Sequence, residues 1–329
     1  MANRDRLHRS ELAVPGSNRR MLEKAPGLGA DVVFIDLEDA VAPEEKEEAR
    51  RNAIEAVNDH DWRGAGVAVR INGLDTTWCY RDIVDVVEQA GSKLDILILP
   101  KVGSAADLHL VATLLTQIEG ATGQAHRIGI TALVETALGM SRVEEIAQAC
   151  PDRLEAIVFG VADYAASMQA ATTNIGGVSA GYSVLTDPDE HDERQVHWGD
   201  PWHYALARVA VAARAHGVRP LDGPYGDFRD RAGLLASARR AAALGFEGKW
   251  AIHPAQIEPI HEVFTPDEQT VARARRILEE MEKGAGAGVG AISVDGRMVD
   301  AASIKMAEHL LAKVGQIDRR DAERAPASA

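Results

Sequence analysis

Much is missing from this 329-residue chain, and each gap removes a class of function. It holds only two cysteines, Cys79 and Cys150, with no CxxC or metal-ligand spacing. Two isolated thiols read as reduced side chains of a cytoplasmic protein, not as a disulfide framework. No apolar run approaches the roughly 20 residues of a membrane span, so no membrane partner is expected. The opening stretch MANRDRLHRSEL lacks the apolar core of a secretion signal. Basic residues are in deficit. Lys and Arg number 36 against 50 Asp and Glu, a net charge of −14 with no clustered basic stripe, which argues against nucleic acid as a partner. Among the histidines, His191, His197, His203 and His216 have neither strand-end placement nor i,i+4 pairing, so zinc is not expected.

What is present is an alternation. Apolar runs at 9–16, 31–39, 66–73, 94–102, 128–136, 154–163, 217–224 and 246–254 are separated by helical patterns. Several runs are continuously apolar, as strands covered on both faces should be. Pro43 with Glu44 and Glu45 suits a helical first turn. Ser141 to Glu144 and Thr265 to Glu268 fit capping boxes, the second with Pro266 at the first helical position. Asp200 and Pro201 open an amphipathic stretch that ends near Gly217. Eight β–α units predict an α/β fold of the (β/α)₈ TIM-barrel type, with an open doubly wound sheet as the alternative.

Two segments break this rhythm. Residues 169–199 show no clear periodicity, and a connection of that length at a catalytic face reads as a substrate wall with a mobile tip. The helix expected at 266–283 runs into GAGAGVGA at 284–291. Those glycines follow a helix rather than a strand, which removes a dinucleotide-loop reading and leaves a decoupling linker. The expected division is therefore a catalytic barrel at 1–283, a Gly-rich linker at 284–291, a small C-terminal lid at 292–317 with a helix at 301–314, and a disordered tail at 318–329.

The chemistry gathers at strand ends. Glu135 closes the fifth run and Asp163 the sixth, so in a barrel both carboxylates converge on the face where a divalent cation and an anionic substrate can sit. The same face collects Pro15 to Asn18, Asp36, Glu38, Asp39, Arg70, Asn72, Lys101, Asp222, Lys249 and His253. The bland reading is an internal salt-bridge network, since buried charges need partners. The functional reading is a metal site on Glu135 and Asp163, with Mg²⁺ taking its remaining ligands from water and a 2-oxo or 2-hydroxy acid. Arg70 suits a developing oxyanion or a carboxylate. Lys101 is expected to pair with Glu38.

These residues stand in strings with a familiar order. RSELAVPGSNRRMLEKA, FIDLEDAVAPEEKEEAR, VRINGLDT, ILPKVG, LVETALGM, FGVADYAAS, DGPYGDF, GFEGKWAIHP and FTPDEQTVARARRILEEME resemble the HpcH/HpaI aldolase and citrate lyase β-subunit superfamily from about residue 9 to 317. Within it, WGDPWHY and the 169–199 insertion resemble the malyl-CoA/β-methylmalyl-CoA lyases. The resemblance implies a TIM barrel assembled as a homotrimer or homohexamer. It implies Mg²⁺, with Mn²⁺ as the alternative, on Glu135 and Asp163, and Arg70 at the thioester carbonyl. Asp300 is then the acid/base on a neighbour's lid, in preference to Asp295. Coenzyme A, as part of the substrate, is expected near Arg19, Arg20, Lys24, His253 and Pro254. Ala13 departs from relatives that carry an aromatic residue there. The implied activity is a reversible Claisen-type cleavage of malyl-CoA or β-methylmalyl-CoA to glyoxylate and acetyl- or propionyl-CoA. A malyl-CoA thioesterase, a citramalyl-CoA lyase and a non-catalytic CoA-binding subunit are the rivals.

Overall fold

The computed structural model describes residues 6–171, 174–179, 181–285, 292–294 and 297–324. Among the described residues twelve strands occur in chain order: β1 Ser10–Pro15, β2 Val32–Asp36, β3 Gly66–Arg70, β4 Ile96–Leu99, β5 Gly129–Val134, β6 Leu154–Phe159, β7 Ser183–Leu185, β8 Val196–Trp198, β9 Arg219–Asp222, β10 Gly248–Ala251, β11 Ile292–Val294 and β12 Arg297–Val299. Eight of them close a parallel barrel in the order β1-β10-β9-β6-β5-β4-β3-β2, so the (β/α)₈ expectation holds and the open sheet does not. Each barrel strand lies within one of the eight apolar runs.

The runs are mostly apolar because both faces of the barrel wall are dry, although β1, β9 and β10 carry the buried polar residues Glu11, Asp222 and Lys249. Side chains alternate across a strand. Phe34, Ala68, Ile98, Leu133, Val158, Leu221 and Trp250 fill the barrel interior, while Val33, Ile35, Val67, Val69, Leu97 and Phe159 face the surrounding helices. The same alternation aims the rim. Two residues beyond Phe34, Ala68 and Leu133 stand Asp36, Arg70 and Glu135, all on inward-facing positions.

Local signals were read unevenly. Pro43–Glu45 forms the 3₁₀ turn that leads into the helix Lys46–Asp59, and the helix His203–Ala215 follows Asp200, whose carboxylate accepts from Trp202 N (3.0 Å). Neither expected capping box forms. Ser141 ends the helix Ala137–Ser141 instead of opening the next one, and Thr265 accepts from Arg9 Nη1 while Asp267 caps by accepting from Thr270 N. A true capping box lies at Ser104 and Asp107, opening the helix Ala105–Thr122. The 169–199 segment contains an antiparallel hairpin, β7 with β8.

The C-terminal unit corrects another expectation. The helix Glu268–Ala285 is followed by the hairpin β11–β12 and by a 24-residue helix, Ala301–Arg324. Their core is their own: Ala274, Ile277, Val299 and Ala307, flanked by Leu278, Met281, Leu310 and Leu311. The last helix does not stop at 314, and residues 318–324 are helical, not a disordered tail. Arg320 donates to the carbonyls of Arg63 (3.0 Å) and Ala30 (3.2 Å), and Arg324 to that of Gly29 (2.6 Å). Those carbonyls precede β2 and β3, so this helix is fastened to the barrel floor, the end opposite the strand C-termini. Residues 286–291 of the expected linker, Asp295 and the tail at 325–329 lie outside the described residues. Among the described residues, no helix is long and apolar enough to cross a membrane.

Candidate functional site

The rim is built around Arg70. Its Nε and Nη2 donate to the two oxygens of Asp36, each at 2.7 Å, and its Nη1 lies 2.8 Å from Glu38 Oε2. Burial works against the cation, but the charges of Asp36 and Glu38 outweigh it and hold Arg70 firmly protonated. In return, and against the pull of burial, Arg70 holds the Asp36 carboxyl below the usual carboxylate range. The guanidinium carbon stands 5.7 Å from the Trp250 ring centre and 6.0 Å from that of Phe34. Acids thus hold its edge and aromatic faces lie beneath it.

Lys101 links this cluster to the carboxylate pair. It pairs with Glu38, as expected, and its Nζ lies 4.0 Å from Asp163 Oδ1. Burial opposes its charge, yet the Glu38 contact raises its pKa. Lys101 has φ +51°, the left-handed region that a non-glycine residue adopts at a cost. In that conformation its backbone N–H donates to Glu135 Oε1 at 2.9 Å. One residue therefore orients Glu135 through its backbone and Glu38 through its side chain.

Glu135 is only 2 % exposed. Burial first, then the charges of Glu38 and Asp163, push its pKa well above the ordinary range. Gly160 makes its position attainable: a Cβ there would stand 2.5 Å from both Glu135 Cβ and Oε2. Asp163, in the first turn of the helix Val161–Ser167, is half-buried. Asp36, Glu38, Asp39, Glu135 and Asp163 together outnumber Arg70 and Lys101. Lys46 adds charge behind them, donating to the carbonyls of Leu37 (2.8 Å) and Glu38 (2.7 Å).

Such a rim fits a divalent cation. Among the described residues no group of three or more Asp, Glu, His or Cys side chains is poised as a closed metal cage. The protein side of a site here is two carboxylates, with the remaining positions left to water and substrate oxygens, the manner in which Mg²⁺ is held. Glu135, wedged against Gly160 with its pKa raised by burial and by the charges of Glu38 and Asp163, is a carboxyl that a cation beside it would stabilise in its charged form.

Several expected rim residues stand elsewhere. Lys249 points out of the barrel wall, where its buried Nζ donates to Asp222 Oδ2 (2.6 Å) and Gly223 O (2.8 Å). Leu221 and Trp250 take the inward positions beside them, so Asp222 and Lys249 form a structural pair behind the sheet. Asn72 is tied to Asp82 by its side-chain and backbone N–H groups, which keeps it out of the mouth's chemistry. Arg19, Arg20 and Lys24 lie exposed on the short helix after β1, Arg19 paired with Glu55 (2.9 Å). His253 caps the turn that contains Pro254 and stacks on Phe228, ring centres 4.6 Å apart. Asp300 caps the last helix, accepting from Ser303 N (2.9 Å) and Oγ (3.1 Å), and is exposed. Ala13 packs against the barrel-interior cluster. Sequence reasoning missed Gly160 and the left-handed Lys101. The first has a signal, a glycine on an inward position beside a strand-end acid, and the second has none.

A closed parallel barrel whose C-terminal rim gathers buried acids around one arginine has the layout of a TIM-barrel enzyme's active face. The HpcH/HpaI aldolase/citrate lyase family model matches residues 9–254. An L-malyl-CoA/β-methylmalyl-CoA lyase of Cereibacter sphaeroides is 49% identical over 312 residues, 95% of this chain and 96% of that protein. A (3S)-malyl-CoA thioesterase of the same species is 38% identical over 317 residues, 96% of this chain and 98% of the other. Protein CitE from Mycobacterium tuberculosis, solved with magnesium, acetoacetate and coenzyme A, is 28% identical with a TM-score of 0.69, covering 93% of this chain and 97% of that one. The chain belongs to the HpcH/HpaI aldolase/citrate lyase family, and its chemistry is of the carbon–carbon lyase type.

Proposed function

We propose that this enzyme cleaves L-malyl-CoA, β-methylmalyl-CoA or both into glyoxylate and acetyl-CoA or propionyl-CoA, reversibly and with Mg²⁺ at Glu135 and Asp163. The observation that carries the reading is the meeting of a buried, charge-elevated Glu135 with Asp163, Lys101 and Arg70 on one rim. The relatives' names and the magnesium-bound CitE structure support the substrate class and the ion. The bound ion would supply Lewis-acid charge at the substrate's carboxylate and hydroxyl oxygens.

The chain's own residues do the rest. The bond that breaks joins the hydroxyl-bearing carbon to the carbon next to the thioester carbonyl. The hydroxyl gives up its proton to solvent, the electron pair of the breaking bond passes into that carbonyl to give the enolate, and the hydroxyl carbon leaves as the aldehyde of glyoxylate. Arg70, fixed at its edge by Asp36 and Glu38, stabilises the oxygen on which negative charge develops. Asp300 gives a proton to the enolate carbon and removes one in the condensing direction. Its own chain's last helix is fastened to the barrel floor, which favours an Asp300 supplied by a second copy. Exposed Arg19, Arg20 and Lys24 are the proposed contacts for coenzyme A phosphates, and the Phe228–His253 stack beside Pro254 its proposed rim contact.

Two experiments test this reading. Purified protein, Mg²⁺ and malyl-CoA should yield glyoxylate and acetyl-CoA by mass spectrometry, whereas malate with free CoA would make the enzyme a thioesterase. Mixing the impaired Arg70→Lys and Asp300→Asn proteins under subunit exchange should restore part of the turnover. No recovery, with each variant folded, would return Asp300 to a capping role.

A further inference from the structure

One group of polar side chains inside the barrel is used neither by the rim nor by the floor's ion pairs. Glu11 of β1 is 1 % exposed, in the interior below the aromatic layer. Its Oε2 accepts from the indole N–H of Trp250 at 2.7 Å, and its Oε1 lies 2.5 Å from Nδ1 of the buried His8. Trp250 in turn packs on Phe34, ring centres 4.4 Å apart, and the Arg70 guanidinium carbon stands 5.7 Å above its ring. A continuous column therefore runs from His8 and Glu11, through the indole, to the arginine at the mouth.

A carboxyl is a costly way to fill that space. Burial lifts Glu11 to about 7 even though Trp250, Arg219 and Arg6 pull it down. A leucine of similar volume would fill the space without a charge to desolvate, but would leave the indole N–H of Trp250 and the buried His8 ring without their partner. What leucine cannot do is hold the indole N–H. That bond fixes the rotation of the Trp250 ring, and with it the surface on which Arg70 rests. Asp36 and Glu38 hold the guanidinium only by its edge, and Phe34 covers part of its lower face (6.0 Å), so an untethered indole removes the rest of the surface that sets its tilt.

We propose that Trp250, locked by Glu11, is a positioning residue for Arg70: the indole sets the depth and tilt of the guanidinium from below, leaving its upper face to the substrate. This rests on the reading of Arg70 as the residue that contacts the thioester carbonyl.

Steady-state cleavage of malyl-CoA with saturating Mg²⁺ tests it in the full-length protein, using Glu11→Leu, Glu11→Gln, Trp250→Phe and Arg70→Lys together with thermal melts. Glu11→Leu is expected to lower kcat about five- to thirty-fold, the worth of one cation–π contact in a dry site, with KM within about twofold and the melting temperature not reduced in proportion. Glu11→Gln keeps an acceptor for the indole and should recover most of the lost kcat. Trp250→Phe keeps a ring but loses the tether, and should behave like Glu11→Leu if that variant fails to fold. In an Arg70→Lys background, Glu11→Leu should have no further effect on kcat. Unchanged kcat in folded Glu11→Leu or Trp250→Phe would overturn the proposal while Arg70→Lys remained impaired. If Arg70→Lys itself turned over normally, the reading of Arg70 would fail instead.

Discussion

The two ends of the barrel handle charge in opposite ways. On the floor, charges are matched. Arg9 grips both oxygens of Asp31 through Nε (2.8 Å) and Nη2 (2.9 Å), Arg153 pairs with Glu119 at 2.6 Å, and Arg6 bridges Asp95 and Glu155. At the mouth, acids crowd around too few cations, Glu135 is raised well above its ordinary pKa, and Lys101 bends into a left-handed conformation to serve it. Conformational strain and unbalanced charge lower stability, and they persist where a site needs them. The floor holds the barrel together, and the mouth holds a place for something else.

The contrast makes opposite predictions for similar mutations. At the mouth, Glu135→Gln should cut turnover about a thousandfold or more, since the proposed metal ligand is lost. The melting temperature should hold or rise, because a buried carboxylate repelled by Glu38 and Asp163 is relieved. On the floor, Asp31→Ala strands Arg9 without its partner and should cost about 3–5 kcal/mol of stability in denaturant titrations. Turnover per folded molecule should not change. If Asp31→Ala impaired kcat as much as stability, the division between the two ends would be wrong.

Smaller changes sharpen the comparison. Gly160→Ala drives a methyl into Glu135 and should weaken Mg²⁺ binding about 10- to 100-fold, the range seen when a ligand's support is lost. Lys313, on the helix fastened to the floor, sits over the Phe264 ring at 5.7 Å and near Glu247 O at 3.5 Å. Burial lowers its pKa from 10.5 to about 8. The folded state therefore releases this proton first, so stability should rise as pH climbs from about 8 towards 10.5. Lys313→Met should exceed the wild type by about 1 kcal/mol near neutral pH, after allowance for solvent screening, and the gap should close near pH 10.5. A gap independent of pH would place the benefit in packing alone. Comparing melts of the two proteins across that range removes the opposing contribution of Cys79, whose thiol burial pushes up to about 12.

The barrel was legible in the sequence because both faces of its wall are dry, so most barrel strands read as apolar runs bounded by polar ends. The charged rim residues were legible for a related reason: alternation carries the inward face two residues past the last inward apolar position, to Asp36, Arg70 and Glu135. The same alternation separates Lys249 and Asp222 from the mouth, since their neighbours Trp250 and Leu221 take the inward places. What alternation cannot reveal is a backbone twist such as that of Lys101, or the choice between Thr265 and Asp267 as a cap, where two competent side chains compete for one helix start. The length of the last helix was missed because its final turns are held by arginines donating to distant carbonyls, contacts with no local signature.

A divalent cation, as proposed, would balance the mouth's surplus of carboxylates. Mn²⁺ titration followed by electron paramagnetic resonance, in the presence of glyoxylate, addresses this with the wild type and Glu135→Gln side by side. The wild type should bind one ion per chain and Glu135→Gln none at the same concentrations. Equal binding by the two proteins would mean that the raised, buried Glu135 is not a ligand, and that the charge at the mouth serves another purpose.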